Sequence, residues 1–588
     1  MVFGGLADVD RIDGASVRPR GAGDRGRERA APELDTGNGG NGTHDVANSF
    51  KQSVARECVP LGRKHGRLAV DEEVAFFSGA QDEVAAPKTM FPQKLEKSFH
   101  QAVPPRPGPS RNRERSSPGG EASGFVVGSG ALLASSEDTL PKPDAPLRAM
   151  DDLLVLFHEA EKPRERWRIG TEAERIAVRK ADGAHLPYDG PVSVLAIFDR
   201  LIRDFGWKAE RETEDGPIIA LLRGEASVTL EPGSQIELSG TPYETVHQGK
   251  AESDRHWAEL RPVIEDLGLV WLGLGCHPFA SVEELGWVPK LRYQVMRHYM
   301  PTRGSMAGDM MTKTCTVQAN LDYSSEEDAM RKLRVGLRAQ PIVTAMFANS
   351  PWEGGKRNGY RSYRALVWLH MDPDRSGLLP FAWKDQPSYL DYVEWALDAP
   401  MFLVKREGRA FYNTGQTFRA FMEEGFQGVV ATYGDWVTHL RTLFPEVRLK
   451  NTLEYRGADA QRPEMLFALP ALWKGLLYDE NSFRSLEGMV DRWSYSEVER
   501  QRDALARHGV RTRFMNREAI DWAGEILELA EAGLRRIGAK NDAGEDETTL
   551  LGPLRALLES SRCPADVLLE QVGESLPSRD AVIRVAGQ

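Results

Sequence analysis

Two glutamates, Glu172 and Glu174 in the segment GTEAER, are spaced so that their carboxylates could bind one cation together. In a β-strand, side chains two positions apart project from the same face. Neighbouring carboxylates repel each other unless a positive charge lies between them. Mg²⁺ is a natural partner, because it prefers oxygen ligands and is often held by carboxylates together with phosphate oxygens. Taken alone, the pattern also fits a charged strand edge that faces solvent.

The segment LEPGSQIELSG offers two more carboxylates, those of Glu231 and Glu237. In a strand, Ile236 and Leu238 fall on one face, while Gln235 and Glu237 fall on the other. The apolar face can therefore pack on a core while the polar face lines a cleft. Glu231 precedes a Pro-Gly turn and can reach the same cleft.

The segment LEYRG places Glu454 and Arg456 two positions apart, so a carboxylate and a guanidinium share a face. Such a pair can hold a metal ion and a transferring phosphoryl group together. The alternative is an ordinary local ion pair.

The segment NGYRSYRALVW contains Arg364 and Trp368, which are neighbours if this stretch is helical. An arginine here could bind a substrate carboxylate through two parallel hydrogen bonds. The alternative is a surface arginine that packs on a tryptophan.

Several nucleotide-binding and hydrolytic motifs are absent from the sequence. It contains no G-x-x-x-x-G-K-[ST] loop, no G-x-G-x-x-G opening a helix after a strand, no G-x-S-x-G turn and no H-E-x-x-H helix. A nucleotide, if bound, must therefore be held through metal ions and basic side chains.

The elements that would position these residues are strands in the middle of the chain, interrupted and followed by helices. Strands are predicted around Ile169–Val178 and in the segments GPIIALLRG, ASVTLEPGSQIELSG and LVWLGLGC. One helix is predicted to end at Gly206 and another to span about 243–267. A third is predicted over about 326–349, with a kink at Pro341, and a fourth from about Asn516 to Gly538. This arrangement favours an α+β fold with an antiparallel sheet.

Residues 1–149 differ from the rest, because they are rich in Gly, Pro, Ser and Arg and lack sustained apolar periodicity. Such a segment buries too little surface to offset the entropy lost on ordering. We interpret it as a disordered extension, and weigh an RNA-binding tail as the alternative. We expect it to contribute nothing to catalysis or folding. The folded domain is predicted to be 150–588, with Asp151 and Asp152 capping its first helix.

The composition excludes several functional classes. Seventy-five basic and 87 acidic residues give a net charge of −12, which disfavours nucleic-acid binding and a basic membrane anchor. No run of 18 apolar residues is present, so no transmembrane helix is predicted. Four scattered cysteines and the lack of a signal-peptide pattern predict a cytoplasmic protein without a disulfide framework.

Five segments together resemble the plant-type glutamate–cysteine ligases, a family shared by plants and many bacteria. They occur in the same order as in the family, over 150–588, and are IGTEAER, LEPGSQIELSG, LRYQVMRHYMPTRGSMAGDMMTKTCTVQANLDY, LRAQPIVTAMFANSPWEGGKRNGYRSYRALVW and FPEVRLKNTLEYRGAD. The resemblance implies a glutamine-synthetase-like antiparallel catalytic sheet. It also implies Mg²⁺- and ATP-dependent ligation of the γ-carboxylate of L-glutamate to L-cysteine through a γ-glutamyl phosphate, the first step towards glutathione.

The resemblance also implies roles for individual residues. The family's metal ligands correspond to Glu172, Glu174, Glu231, Glu237 and Glu454. Arg456 corresponds to the arginine that neutralises phosphate, and Arg292 and Arg364 to anchors for substrate carboxylates, with Trp368 beside them. We expect Glu172, Arg364 and Arg456 to be catalytic. Plant members carry a cysteine where this chain has Lys250, so we do not expect their redox switch here.

Three alternatives share this sequence pattern. The same reaction could serve ergothioneine or another thiol, or the same fold could ligate a different amine. A non-catalytic RNA-binding scaffold is the third, and the intact acidic cluster with Arg456 argues against it. Expected partners are glutamate, cysteine and ATP, with no nucleic acid or membrane, and the protein is expected to be a monomer or a homodimer.

Overall fold

In the part of the chain that the structure describes, nine strands form one sheet in which every pair is antiparallel. The structure is a computed structural model that describes residues 140–406, 409–573 and 578–588. All of these lie within one compact unit. The predicted α+β class, an antiparallel sheet flanked by helices, is confirmed.

The strands are β1 (Ile169–Arg179), β2 (Lys208–Arg211), β3 (Ile218–Arg223), β4 (Ala226–Leu230), β5 (Ile236–Ser239), β6 (Leu269–Leu272), β7 (Val317–Leu321), β8 (Trp352–Glu353), β9 (Lys356–Arg357), β10 (Ser376–Gly377), β11 (Leu403–Arg406), β12 (Arg409–Tyr412), β13 (Phe444–Pro445), β14 (Val447–Leu449), β15 (Leu453–Tyr455), β16 (Arg513–Phe514) and β17 (Arg517–Glu518). The large sheet has the order β14-β15-β7-β1-β5-β4-β3-β2, and β6 pairs with the second half of β1.

The helices are α1 (Met150–Glu159), α2 (Val194–Phe205), α3 (Val246–Asp266), α4 (Leu291–Tyr299), α5 (Ala307–Lys313), α6 (Glu326–Met346), α7 (Tyr363–Leu369), α8 (Tyr389–Asp398), α9 (Phe418–Glu424), α10 (Tyr433–Leu440), α11 (Pro463–Leu466), α12 (Ala468–Leu477), α13 (Glu480–Val490), α14 (Tyr495–His508), α15 (Ala519–Ile537), α16 (Gly552–Glu559), α17 (Pro564–Val572) and α18 (Arg579–Ala586).

The two faces of the large sheet differ in polarity. On one face Ala173, Leu238 and Val228 of β1, β5 and β4 lie side by side, and all three are buried in the core. On the other face Glu174 of β1 lies beside Glu237 of β5. Because side chains alternate along each strand, the packing of the apolar face fixes which residues line the polar one.

Helices α12 and α15 cover the core and approach each other closely. A Cβ atom on Gly533 would lie 1.9 Å from the carbonyl oxygen of Gly475, so any side chain there would separate the two helices. Trp473 of α12 packs against Tyr455 of β15 in a tilted arrangement, with ring centroids 4.2 Å apart. The helices thereby hold β15 in place from the apolar side of the sheet.

The predicted helix ends at Gly206 and Gly538 are confirmed, since both glycines cap their helices with positive φ angles of 74° and 68°. Pro341 lies inside α6 without ending it. Asp152 contributes to the start of α1 from within the helix, because its carboxylate accepts the main-chain N–H groups of Arg148 and Ala149.

The ten residues before α1 belong to the packed structure. Leu147 N donates to Ala431 O over 3.0 Å, and Tyr433 N donates to Ala145 O over 2.9 Å. The expectation that residues 1–149 contribute nothing to folding is therefore corrected for 140–149, because these residues carry main-chain hydrogen bonds to the start of α10. Residues 1–139, with the predicted disorder, lie outside the described residues, and the boundary at residue 150 stays a prediction.

The described residues also bear on the expectations about disulfides and about transmembrane helices. Cys276, Cys315 and Cys563 are buried and free, while Cys58 lies outside the described residues. Lys250 forms a surface ion pair with Asp254, with a Nζ–Oδ2 distance of 2.6 Å. Among the described helices, none combines the length and apolar character that a bilayer crossing requires.

Candidate active site

Three glutamates meet on the polar face of the sheet, and we call Glu174, Glu231 and Glu237 the acidic triad. Glu174 of β1 is the direct cross-strand neighbour of Glu237 of β5, and Glu231 directly follows β4. One carboxylate oxygen from each residue lies within 4.8 Å of the others. The structure thus brings together three of the five carboxylates that were predicted to hold a metal ion.

The turn after β4 positions Glu231. Its main chain is closed by hydrogen bonds from Glu231 N to Gln235 O and from Ser234 N to Glu231 O, of 2.9 and 3.0 Å. Ser234 adopts a left-handed conformation with φ of 67°. Gly233 packs so closely on Thr312 that a Cβ atom would lie 2.3 Å from its carbonyl oxygen. Glycine is therefore required at position 233 by this close approach, and the left-handed conformation of Ser234 completes the turn.

The acidic triad concentrates negative charge in a partly buried place, because Glu237 is buried while Glu174 and Glu231 keep some exposure. Burial raises the pKa of Glu174 well above its usual range, and the carboxylates of Glu231 and Glu237 act in the same direction. Burial, followed by the carboxylate of Glu231, also raises the pKa of Glu237. A hard divalent cation would let all three carboxylates ionise together, so this donor set fits Mg²⁺.

Glu172 and Glu454 lie on the same face but outside the acidic triad. Glu172 accepts a hydrogen bond of 3.0 Å from Asn320 Nδ2, and Glu454 of β15 is the cross-strand neighbour of Asn320. Burial raises the pKa of Glu172 to about 8, and the Glu454 carboxylate acts in the same direction. The predicted cluster of five carboxylates is therefore divided into a triad and a neighbouring pair.

Three cations surround Glu454, and we call Arg448, Lys450 and Arg456 the basic group. Arg448 donates twice to the Glu454 carboxylate, over 2.6 and 3.1 Å, while Arg456 donates over 3.0 Å and Lys450 over 3.3 Å. Burial alone would raise the pKa of Glu454, but the three cations hold it well below its usual range. One carboxylate cannot neutralise three cations, so this end of the face stays positively charged.

Sequence reasoning found Arg456 but missed Arg448 and Lys450. The segment FPEVRLKNTLEYRG contained the signal, because its charged residues alternate on both sides of a turn. There Lys450 N donates to Thr452 O over 2.9 Å, and Arg448 pairs across the strands with Glu454. Strands of three residues are too short for alternation alone to identify them.

Arg364 is buried and points towards the end of β15. Its two terminal nitrogens donate to Gly457 O over 3.2 Å and to Arg456 O over 2.8 Å. Its guanidinium carbon lies 5.7 Å from the Trp368 ring centroid, so the two residues are neighbours as predicted. The alternative of a surface arginine is wrong, because only 4% of Arg364 is exposed.

The start of α4 brings further cations to the acidic triad. Lys290 Nζ and Tyr293 OH both donate to Leu230 O, over 2.8 and 2.6 Å, and this carbonyl directly precedes Glu231. Arg292 is carried on the same turn, with its guanidinium 5.3 Å from the Tyr293 ring centroid. Burial lowers the pKa of Lys290 to about 8, and the Glu231 carboxylate opposes this shift. Sequence reasoning had found Arg292 but missed Lys290.

Asp459 joins α7 to the segment that follows β15. Its buried carboxylate accepts hydrogen bonds from Asn349 N, Ser350 Oγ and Ser362 Oγ, each of 2.7 Å. Ser350 Oγ also accepts the main-chain N–H of Arg364 over 3.1 Å. This buried network fixes the first turn of α7, and therefore Arg364, relative to the basic group.

Comparison with known proteins gives one family. The model of glutamate-cysteine ligase family 2 matches residues 168–585. Glutamate–cysteine ligase B, chloroplastic, from Oryza sativa subsp. japonica is 43% identical over 422 residues, which cover 71% of this chain and 83% of the rice protein. The chloroplastic glutamate–cysteine ligase of Solanum lycopersicum is 39% identical over 472 residues, covering 78% and 88% of the two chains.

Among solved structures, the glutamate–cysteine ligase of Francisella tularensis in complex with AMP aligns with a TM-score of 0.45 and 12% identity, over 71% of this chain and 87% of that one. The plant relatives correct one expectation. Their names place them in the chloroplast, so the cytoplasmic location predicted from the sequence is contradicted.

Proposed function

This chain belongs to glutamate–cysteine ligase family 2, and we propose that its acidic triad and basic group carry out the ATP-dependent joining of L-glutamate to L-cysteine. The product is γ-glutamylcysteine. The observation that supports these roles is the meeting of three carboxylates, one buried and two partly buried, with three cations on one sheet face. That face can accommodate both a metal-bound polyphosphate and the amino-acid substrates.

The chemistry requires activation of a carboxylate, which is a poor electrophile. An oxygen of the glutamate γ-carboxylate attacks the γ-phosphorus of ATP, the bond to ADP breaks, and a γ-glutamyl phosphate forms. The cysteine amine then attacks the acyl carbon and expels inorganic phosphate, while the amine loses a proton. The protein mainly orients the reactants and neutralises developing charge.

We propose that Glu174, Glu231 and Glu237 hold Mg²⁺, and that Glu172 and Glu454 complete the metal-binding face. When bound, Mg²⁺ supplies positive charge to the phosphate oxygens and offsets the repulsion among the carboxylates. The raised pKa values of Glu174 and Glu237 support this assignment, because burial and the neighbouring carboxylates both disfavour their charged forms, which a bound cation would favour.

The basic group is proposed to bind the phosphates of ATP. Glu454 orients Arg448 and Arg456 through hydrogen bonds of 2.6–3.1 Å, and Gln318 accepts a further bond of 2.7 Å from Arg456. Cations fixed before the substrate arrives need little reorganisation during phosphoryl transfer.

Arg292 and Arg364 are proposed to bind the glutamate carboxylates, with Trp368 forming an adjacent wall. Two main-chain carbonyls fix the orientation of the Arg364 guanidinium before glutamate binds. The closeness of these carbonyls to Arg456 couples binding of glutamate to the position of the phosphate-binding group.

Product analysis with the full chain tests the function. With ATP, Mg²⁺ and glutamate, we expect ADP release to rise strongly on adding cysteine, and mass spectrometry to identify γ-glutamylcysteine. Parallel reactions with other amino acids at the same concentration test the alternative amine. A higher kcat/KM with another amine would reassign the substrate, and no ligation product with any amine would overturn the proposal.

A further inference from the structure

A cavity of about 410 Å³ lies outside the candidate active site, between the segment that precedes α7 and helix α17. It shares no residue with the acidic triad or the basic group. Its charged and aromatic lining consists of Arg357, Tyr360, Arg361, Arg511, Asp566 and Glu570. Pockets that hold small metabolites commonly have volumes of roughly 300–1,000 Å³, so the space suits a ligand of modest size.

The cavity carries an excess of positive charge. Asp566 is already paired with Arg361, whose Nε donates to it over 2.6 Å. Glu570 is likewise paired with Arg562 over 2.8 Å. Arg511 lies 3.7 and 3.9 Å from these two carboxylates, which is beyond hydrogen-bonding distance.

Arg357 adds a further cation whose bonds go to main-chain carbonyls. It donates to Leu569 O over 3.3 Å, and also to Gly573 O. Three arginines and two carboxylates therefore line the cavity, which leaves a net charge of +1 on its lining. A bound anion would meet more guanidinium charge than the two carboxylates of the lining can balance.

The arginines are held in place by the fold. Asp566 is buried and also accepts the main-chain N–H of Cys563 over 3.0 Å at the start of α17. Arg511 Nε donates to Ser561 O over 2.7 Å. Within the described ranges no acceptor is found for the terminal nitrogens of Arg361, so these donors stay available. Fixed guanidinium groups with free N–H donors lose little entropy when they bind an oxyanion.

We propose that this cavity is a second binding site that takes a small organic anion carrying carboxylate or phosphate groups. Both chemistries present paired oxygens that match the planar guanidinium fork. Tyr360, Pro351 and Leu569 line the rest of the cavity and accommodate the carbon skeleton of the ligand.

A short chain of hydrogen bonds links this cavity to Arg364 in the candidate active site. Ser350 N donates to Arg361 O over 2.9 Å, and Ser350 Oγ accepts the N–H of Arg364 over 3.1 Å. Ser350 and its neighbour Ser362 both donate to Asp459. An anion that binds the Arg361 guanidinium and displaces this residue therefore also displaces the turn that carries Arg364. The affinity for glutamate changes as a result. This coupling rests on the proposed function, whereas the binding itself does not.

Calorimetric titration of the full chain tests the binding. The active site is first saturated with glutamate, Mg²⁺ and a non-hydrolysable ATP analogue, and inorganic phosphate and citrate are then titrated separately. We expect at least one of them to bind with a Kd below about 1 mM. Arg511→Gln and Arg357→Gln should each weaken that binding about 10-fold or more, the scale of one lost charge-assisted contact.

Arg484→Gln is the matched control, because it removes the same charge from an exposed arginine on α13 that lies outside the cavity. It should leave the affinity unchanged. Absence of binding by both probes up to about 10 mM would overturn the proposal. Equal affinities in the wild type and both cavity variants would also overturn it.

A kinetic measurement tests the coupling. The anion that binds should change the KM for glutamate by about 3-fold or more, and Arg511→Gln should abolish this effect without changing the KM measured in the absence of the anion. Binding with an unchanged KM would refute the coupling. If the chain formed no γ-glutamylcysteine at all, the proposed function would fail while the calorimetric result would stand.

Discussion

Glu454 shows how the surroundings of a single residue decide its role. The segment LEYRG alone allows either a metal ligand or an ordinary ion pair. In the structure Glu454 is buried and bonded to all three members of the basic group. Its carboxylate therefore orients the cations that face the phosphates, and we propose that it contributes to the metal-binding face from this position.

Glu237 is the member of the acidic triad that best tests the metal assignment. Glu237→Gln keeps the shape of the side chain but removes one of three charges. We expect turnover to fall about 100-fold, the scale of losing one preorganised electrostatic group. The Mg²⁺ concentration needed for half-maximal rate should also rise, and both are read from initial rates measured over a range of Mg²⁺ concentrations.

Glu225→Gln is the control for this substitution, since Glu225 is exposed in the turn between β3 and β4. It should leave both quantities unchanged. A Glu237→Gln protein with wild-type turnover and an unchanged Mg²⁺ requirement would remove Glu237 from the metal site.

Arg364→Lys tests the proposed binding of glutamate. Lysine keeps the charge but loses the planar fork that two main-chain carbonyls orient. We expect the KM for glutamate to rise about 10-fold or more, consistent with the loss of one charge-assisted hydrogen bond. The KM for ATP should rise less, and kcat should fall because Arg456 O loses its donor. Equal increases in the two KM values would instead indicate a general structural role.

At this scale, the sequence predicted the carboxylates better than the cations. Glu172 and Glu174 could be placed on one face because strand geometry alone fixes which side chains of a strand share it, whereas the family resemblance was needed to place Glu237 beside them. Lys290 could not be found in this way, because it lies in a loop and reaches the site through a hydrogen bond to Leu230 O. That contact depends on how distant segments pack, which no local pattern encodes.

Among the elements, the turn between β4 and β5 has the most direct influence on the site. It carries Glu231 into the acidic triad, and it packs against the main chain of Thr312 at the end of α5. Its Pro-Gly-Ser sequence was recognisable as a turn. The close approach to Thr312 was not, because that contact joins residues about 80 positions apart in the chain.

Gly233→Ala tests the role of this turn. The added Cβ would lie 2.3 Å from Thr312 O, so the main chain must move and Glu231 must move with it. We expect kcat to fall about 10-fold or more, because small displacements of catalytic groups are costly. The free energy of unfolding should decrease by about 1–3 kcal/mol, as in other overpacked positions, measured by urea denaturation.

Gly488→Ala provides the matched glycine control. A Cβ at this position of α13 meets nothing within 4 Å, so the substitution should leave kcat unchanged and slightly stabilise the helix. If Gly233→Ala behaved in the same way as Gly488→Ala, the close packing of the turn on Thr312 would not be needed to position Glu231.

The order of the strands was beyond sequence reasoning. Long elements such as β1, α3 and α6 were predicted close to their observed positions because they carry sustained periodicity. However, β1 pairs with three different strands, β5, β6 and β7, and β7 lies about 140 residues further along the chain. Such pairings depend on the packing of the whole sheet rather than on local patterns.

At the scale of the whole molecule, residues 140–149 extend the folded region beyond the family match, which begins at residue 168. Leu140 and Leu147 pack against the main core, and Gly434 N donates to Pro143 O over 2.8 Å. This segment also lies against the start of α10, where Pro146 forms a β-bridge with Thr432. It was assigned to the extension because ten residues with two leucines show no periodicity.

Removing this segment should lower stability. A chain that begins at residue 150 loses main-chain hydrogen bonds worth about 1 kcal/mol each, together with the packing of two leucines. We expect its melting temperature to fall about 2–5 °C below that of a chain beginning at residue 140. Scanning calorimetry measures the melting temperatures of the chains that begin at residues 140 and 150 and of the full chain. Identical melting temperatures for the two shorter proteins would show that the segment does not stabilise the fold.

The central claim is that this sheet face activates the γ-carboxylate of glutamate by phosphorylation. The most direct measurement uses L-glutamate labelled with ¹⁸O in its γ-carboxylate, together with ATP, Mg²⁺, cysteine and the full chain. Because the phosphate that leaves the acyl phosphate keeps the oxygen that attacked ATP, each inorganic phosphate should carry one ¹⁸O atom from glutamate by mass spectrometry. Release of γ-glutamylcysteine with unlabelled phosphate would contradict the account.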